Sequence, residues 1–130
     1  MSGIAQVLHK KGFKVSGSDL SQNQIVKKLK KKMKIFSSHN ADNINNADII
    51  VYSSAIKKNN IEILTAKKLK IPVFSRAMML AQVMRLKSSI TVAGSHGKTT
   101  TTSLISSIFE ASGMDPTILS GGIINSLDIN

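Results

Sequence analysis

Ser89-Ile90-Thr91-Val92-Ala93-Gly94-Ser95-His96-Gly97-Lys98-Thr99-Thr100-Thr101-Thr102 is the stretch that decides how this chain is read. It opens on a short apolar, β-branched run, which predicts a buried strand over 89–93. The run breaks at Gly94 and Gly97 and resumes through Ser103 to Ala111. There Leu104, Ile105, Ile108 and Ala111 recur as one face of a helix. Strand, glycine turn, Lys-Thr and helix, in that order, is the layout of a phosphate-binding loop.

The residue types suit that chemistry. A polyphosphate needs many donors at close range and neutralisation of its charge. Glycines let the backbone curl so that successive N–H groups converge on oxygen atoms. The helix that follows adds unpaired amides and the positive end of its dipole. Lys98 can reach the terminal phosphates as a point charge, and the Thr99 hydroxyl is placed to ligate Mg²⁺. The strict pattern asks for glycine at position 92, where this chain has valine, so the loop is a variant. The bland alternative is an ordinary strand-to-helix turn with threonine caps.

Working outward, charge divides the chain. Its 130 residues carry a formal net charge of +11. Residues 88–130 hold Lys98 against Glu110, Asp115 and Asp128, whereas residues 1–87 hold the other 17 bases against four acids. That step places a domain boundary between Arg85 and Ser89. The basic half does not read as a nucleic-acid surface. Arg76 and Arg85 are its only arginines, and one tyrosine with no tryptophan gives few platforms for stacked bases. There is no cysteine, hence no disulfide framework. No apolar run approaches the ~18 residues that a membrane span needs. Lys10 and Lys11 follow only a short apolar run, which is not a signal-peptide pattern.

Before the loop, strands and helices alternate. Ile4, Ala5, Val7 and Leu8 predict a helix over 2–11, closed near Gly12. Phe13 to Asp19 predicts a strand. Asp19 at its end suits a ribose-holding acid, and Asp19 or Ser21 suits the cap of the next helix; the two roles can coexist. That helix, over 22–33, turns Ile25, Val26, Leu29 and Met33 inward and a row of lysines outward. Ile35-Phe36 is a short strand, followed by a polar loop in which His39 has no partners at metal spacing. Asp48 to Ala55 reads as a strand buried on both faces, with Ser53 and Ser54 at its C-terminal edge. A helix over 59–69 is expected to bury Ile61, Leu64 and Leu69. Ile71 to Phe74 is a further strand, and Ser75 caps a helix running to Leu86 with a core-facing methionine stripe. A last short strand is expected over 117–120. The alternation implies a parallel α/β architecture.

Gly94-Ser-His-Gly-Lys-Thr-Thr-Thr-Thr-Ser103 resembles the ATP loop of the Mur ligases, the ATP-dependent amide-forming enzymes of peptidoglycan precursor synthesis. The resemblance spans the chain. Met1-Ser-Gly-Ile-Ala-Gln-Val-Leu8, Val15-Ser-Gly-Ser-Asp19, Tyr52-Ser-Ser-Ala-Ile56, Ser75-Arg-Ala-Met-Met-Leu-Ala81, Ala111-Ser-Gly-Met-Asp-Pro-Thr117 and Gly121-Gly122 all match it. Ser53-Ser54-Ala55 and Arg76 favour the members that act on L-alanine, since the murein tripeptide ligases carry Asn-Ala after that strand.

The resemblance implies a Rossmann-like parallel sheet over 1–87 that binds the UDP-substrate, then the start of a P-loop ATP-binding α/β domain over 88–130. It implies ATP and Mg²⁺ as cofactors, with UDP-N-acetylmuramate and L-alanine as substrates. The setting it implies is the bacterial cytoplasm, in cell-wall synthesis and cell division, without nucleic acid or membrane insertion. Gly94, Ser95, His96, Gly97, Lys98, Thr99 and Thr100 would hold ATP, with Lys98 catalytic, Thr99 on Mg²⁺ and Thr100 on a nearer phosphate. Ser18, Asp19, Ser53, Ser54, Ala55 and Arg76 would lie along the UDP site. The implied reaction passes the ATP γ-phosphoryl to the lactyl carboxylate, and the alanine amine then attacks the acyl phosphate. The family's first strand and its glycine-rich turn precede the residues found here, and its later Mg²⁺ ligands and C-terminal domain follow them. The expectation is therefore an N-terminal fragment with open strand edges, marginally stable and inactive alone. The alternatives are another ligase of the superfamily, such as a murein tripeptide or folylpolyglutamate synthetase-like enzyme, and a non-catalytic basic nucleotide- or nucleic-acid-binding module.

Overall fold

The computed structural model describes residues 1–120, and the chain divides into two compact units, Met1–Lys87 and Ser88–Asn130. In the first unit, helix α1 (Ser2–Lys10) buries Ile4 and packs on α2 (Gln24–Lys30) and α4 (Arg76–Met84). Helix α3 (Ile61–Lys68) packs on a single 3-10 turn over Ala41–Ile44. The core is thin: Ile4, Val26, Leu29, Met33, Ile44, Ile63, Ala66, Met79 and Val83 are its buried apolar residues.

Local chemistry sets the helix ends. Asn23, Asn60 and Ser75 each accept an N–H of the first turn that follows, at Val26, Glu62 and Met78 respectively. Neither Asp19 nor Ser21 caps α2, as the sequence suggested. Asp19 instead accepts both the N–H and the hydroxyl of Ser21, forming a local turn. Helices α1, α3 and α5 (Lys98–Ala111) close in one way. Phe13, Ile71 and Met114 donate their N–H groups back to Leu8, Ala66 and Phe109. The residue before each is left-handed: Gly12, Lys70 and Gly113.

Strands β1 (Ser16–Ser18) and β2 (Lys34–Phe36) pair in parallel, with Ser18 opposite Phe36. Strands β3 (Ile50–Tyr52) and β4 (Val73–Ser75) do the same, with Tyr52 opposite Ser75. The architecture is α/β with parallel pairing, but among the described residues the ladders form two pairs rather than one sheet. β1 and β3, the strands expected to carry an open edge, are each bonded on one side there. This explains why the strand expected over 48–55 shrinks to three half-buried residues, with Ile49 exposed. Phe13 likewise stays exposed and belongs to the closure of α1, not to β1.

Three apolar faces differ from the periodicity: in α4 Met79 is buried as expected, but Met78 of the same stripe is exposed. Ile25 of α2 is exposed, and α3 buries Glu62, Ile63 and Ala66 while Ile61, Leu64 and Leu69 face solvent. The second unit departs further. The expected strands over 89–93 and 117–120 do not form among the described residues, and Ile90 is exposed. An extended segment without a pairing neighbour does not make a strand. In α5 Leu104 and Ile108 are exposed, and Ser106 is its buried residue. Gly121 and Gly122 lie outside the described residues.

Candidate nucleotide sites

The segment expected to form a phosphate loop keeps its glycine turn and helix start without the strand. Gly97 sits at φ 77°, left-handed, as the N-cap of α5. A Cβ added there would meet nothing within 4 Å, so backbone conformation and not space is what asks for glycine. No side chain caps the first turn, which leaves its amides to a ligand or to water. Gly94 through Thr100 are all exposed. The Lys98 ammonium donates to the carbonyls of Gly94 (2.5 Å) and Ser95 (3.1 Å), folding back across the turn. Both partners are neutral, so no acid among the described residues pairs with the charge of Lys98.

The hydroxyls of α5 and its C-cap sort into two groups. Those of Thr102, Ser103, Ser106, Ser107 and Ser112 donate to the carbonyl four residues back. The Thr99, Thr100 and Thr101 hydroxyls have no protein partner among the described residues, and Thr99 and Thr100 are the two nearest the helix start. A lysine held over the loop, unpartnered hydroxyls and an uncapped helix start are a donor set that fits a polyphosphate with its metal ion.

In the first unit, the residues expected along the UDP site lie at the C-terminal ends of the strands. Ser18 ends β1 and Asp19 follows it, with Asp19 N–H donating to the Phe36 carbonyl. Ser53 follows Tyr52 of β3, and its hydroxyl accepts the Ala55 N–H, which makes Ser53 to Ile56 a turn. Ser54 and Ala55 are exposed on that turn. Arg76 opens α4 directly after β4 and is exposed. Since Tyr52 and Ser75 are register partners, Ser53 and Arg76 leave the same edge together. Asp19 is exposed, and the hydrogen bonds from Ser21, helped by nearby His39, hold its carboxyl below the usual aspartate range.

A cluster that sequence reasoning missed joins this edge. Ser18 Oγ donates to Glu62 Oε2 at 2.7 Å, and His39 Nδ1 lies 3.0 Å from both atoms. Asn43 Nδ2 donates to Glu62 Oε1 and to the Ser38 carbonyl, each at 2.7 Å. Glu62 is the buried acid of the unit, 9% exposed. Burial pushes its carboxyl up, but the donors Ser18, Asn43 and His39 outweigh that and hold it below the usual glutamate range. His39 had read as an ordinary loop residue. The available signal was Glu62 itself, a lone acid inside Ile61-Glu62-Ile63-Leu64. Among the described residues no three His, Cys, Asp or Glu side chains group to hold a metal ion, and no helix is long and apolar enough to cross a membrane.

The family model for the Mur ligase family, catalytic domain, matches residues 1–88. The chain belongs to the Mur ligase family. That match coincides with the first unit and stops ahead of the phosphate loop. Curated relatives cover the loop as well. A UDP-N-acetylmuramate–L-alanine ligase of Rickettsia bellii is 54% identical across all of this Mur ligase chain, which spans 27% of the relative. One from Ruthia magnifica is also 54% identical, with 28% of its length covered. The chain therefore spans about a quarter of the length of these relatives. Among solved structures, a UDP-N-acetylmuramate–alanine ligase, MurC, from Thermotoga maritima superposes with a TM-score of 0.89 at 29% identity, over 98% of this chain and 30% of that one. A UDP-N-acetylmuramate:L-alanyl-γ-D-glutamyl-meso-diaminopimelate ligase from Neisseria meningitides gives 0.87 at 27%, over 98% and 41%.

Proposed function

We propose that this chain supplies the UDP-substrate unit and the ATP phosphate loop of a ligase that joins L-alanine to UDP-N-acetylmuramate. The observation that carries the reading is the Gly94–Thr100 turn, in a chain 54% identical along its whole length to ligases of that name. Ser18, Asp19, Ser53, Ser54, Ala55 and Arg76 bind the UDP-substrate in residues 1–87. Gly94 to Thr100 bind ATP in residues 88–130.

The chemistry follows from charge. A carboxylate is a poor electrophile until one oxygen becomes a good leaving group, and phosphorylation makes it one. Lys98 offsets the charge that builds on the transferring phosphoryl group, and the α5 amides and the Thr100 hydroxyl orient the chain of phosphates. Thr99 would hold Mg²⁺, which when bound neutralises phosphate oxygens. The substrate carboxylate accepts the phosphoryl group as ADP leaves, and the amine of L-alanine then displaces phosphate to form the amide.

The test is ligand binding to the 130-residue chain, followed by calorimetry and thermal shift. ATP with Mg²⁺ should bind the native chain and lose at least about tenfold in affinity on Lys98→Ala, which removes a charge-assisted contact. UDP-N-acetylmuramate should raise the melting temperature, and folates should not. ATP affinity indifferent to Lys98, or protection by folates alone, would remove the reading. Protection by the UDP-tripeptide substrate but not by UDP-N-acetylmuramate would move the chain to the tripeptide ligases.

A further inference from the structure

The cluster at the end of β1 has a chemical consequence. We propose that Glu62 is the positioning residue for His39: it holds the imidazole with its proton on Nδ1, so that Nε2 presents a lone pair to a donor N–H or O–H of the bound nucleotide. This rests on the reading of residues 1–87 as the UDP-substrate unit, and it names which end of that substrate His39 meets.

The proton assignment follows from the partners. Glu62 Oε2 accepts the Ser18 hydroxyl hydrogen at 2.7 Å, and Oε1 accepts from Asn43 at 2.7 Å. A carboxylate in this role only accepts. His39 Nδ1 lies 3.0 Å from Oε2, a contact that is favourable when that nitrogen carries the hydrogen. The Ser18 contact demands the same form. The Ser18 hydrogen already points at Glu62, so its oxygen offers Nδ1 a lone pair, also at 3.0 Å. A neutral imidazole with hydrogen on Nδ1 has its acceptor on Nε2. Among the described residues no protein group engages Nε2, and the His39 side chain is 18% exposed, so it is partly open to solvent.

Placement gives the lone pair its use. Ser18 ends β1, its register partner Phe36 ends β2, and His39 stands three residues beyond. Parallel α/β sheets take ligands outside the C-terminal ends of their strands. Asp19 is next to Ser18, and its Oδ1 is taken by Ser21 while its other oxygen is not. The edge therefore offers acceptors, a carboxylate oxygen and Nε2. A uridine nucleotide presents matching donors in its base imide N–H and its ribose hydroxyls. Glu62 is tied from the other side as well. Its backbone N–H donates to the Asn60 side chain, which fixes the first turn of α3 behind the carboxylate. Two segments distant in sequence, at Ser18 and Glu62, thus converge on one imidazole, and mere packing requires no such agreement of donors.

The test is nitrogen-15 NMR of the imidazoles in the 130-residue chain, with UDP as the probe. In its neutral form, His39 of the free chain should show its hydrogen on Nδ1 and a lone pair on Nε2, and UDP should shift the Nε2 resonance. Glu62→Gln, which can donate as well as accept, should release the tautomer preference and weaken UDP by roughly tenfold, one neutral hydrogen bond. A nucleotide methylated at the base N3, or one lacking the 2′- or 3′-hydroxyl, should bind less well and leave Nε2 unshifted. Which analogue does so identifies the donor. A proton on Nε2 of the neutral ring in the free chain overturns the proposal, as does UDP affinity unmoved by all the analogues. The wild-type tautomer decides the matter even if the Glu62→Gln chain does not fold. If UDP fails to bind while UDP-N-acetylmuramate protects the chain, the substrate reading stands and this inference falls. If neither binds, the substrate reading itself fails.

Discussion

The Ser18 hydroxyl reaches Glu62 across 44 residues of sequence at 2.7 Å, and that bond ties the β1–β2 pair to the β3–α3–β4 segment. No backbone ladder joins the two pairs among the described residues, so side chains do part of the work that a continuous sheet would do. Glu62→Ala should therefore cost about 2–3 kcal/mol in denaturant unfolding, because Ser18, His39 and Asn43 all lose their acceptor while partly buried. Ser18→Ala removes one donor and should cost about 1 kcal/mol. Equal, small losses for both would mean that the tie carries no stability.

The same carboxylate gives the unit a pH dependence. Its folded-state pKa lies below the ordinary glutamate value of about 4.3. A depressed acid contributes stability that is complete above the unfolded-state pKa and is lost as pH falls through the lower folded-state value. The chain should hold its stability above about pH 5 and lose it progressively below about pH 4. Asp19 is shifted in the same direction, but it is exposed and its share is screened. Glu62→Gln should flatten the acid limb of the melting-temperature curve. An unchanged acid limb in that variant would remove Glu62 as its source.

Much of the architecture was legible: the helices, their order and the parallel pairing follow from apolar runs and from the alternation of strands and helices. The face of α3 was not. Periodicity selects Ile61, Leu64 and Leu69, yet Glu62, Ile63 and Ala66 are buried. A hydrophobic pattern assigns carboxylates to solvent, and here three donors from distant segments make burial of Glu62 favourable. That long-range complement is invisible along the chain, and it rotates the helix. It also hid His39 from the candidate site. Ile63→Ala should accordingly cost about 2–4 kcal/mol as a cavity, while Leu64→Ala should cost under about 1 kcal/mol. The reverse order in urea unfolding would return the helix to the face that the pattern selects.

Lys70 shows a local rule broken at modest cost. It ends α3 at φ 58°, where α1 and α5 use Gly12 and Gly113 in the same closure. A side chain in the left-handed region costs roughly 1 kcal/mol, and Lys70 is exposed, so little packing is lost on truncation. Lys70→Gly should raise stability by about 0.5–1 kcal/mol, with the far-ultraviolet spectrum unchanged. Destabilisation instead would show that the entropy gained by the unfolded chain exceeds the strain relieved.

Gly97 is the converse case, because its left-handed backbone aims the start of α5. At φ 77° an alanine is strained by roughly 1–2 kcal/mol although there is room for its methyl group. The chain can relieve that strain by rotating the peptide ahead of Lys98. Doing so would turn the first amides away from the loop and pull Lys98 from the Gly94 and Ser95 carbonyls it now bridges. Gly97→Ala should therefore weaken ATP binding by tenfold or more, on the order of one charge-assisted hydrogen bond, while the melting of residues 1–87 stays as it was. Calorimetric titration of ATP beside a thermal melt separates the two effects. Undiminished ATP affinity would show that the turn is only a connection between chain segments and that the phosphates are held elsewhere.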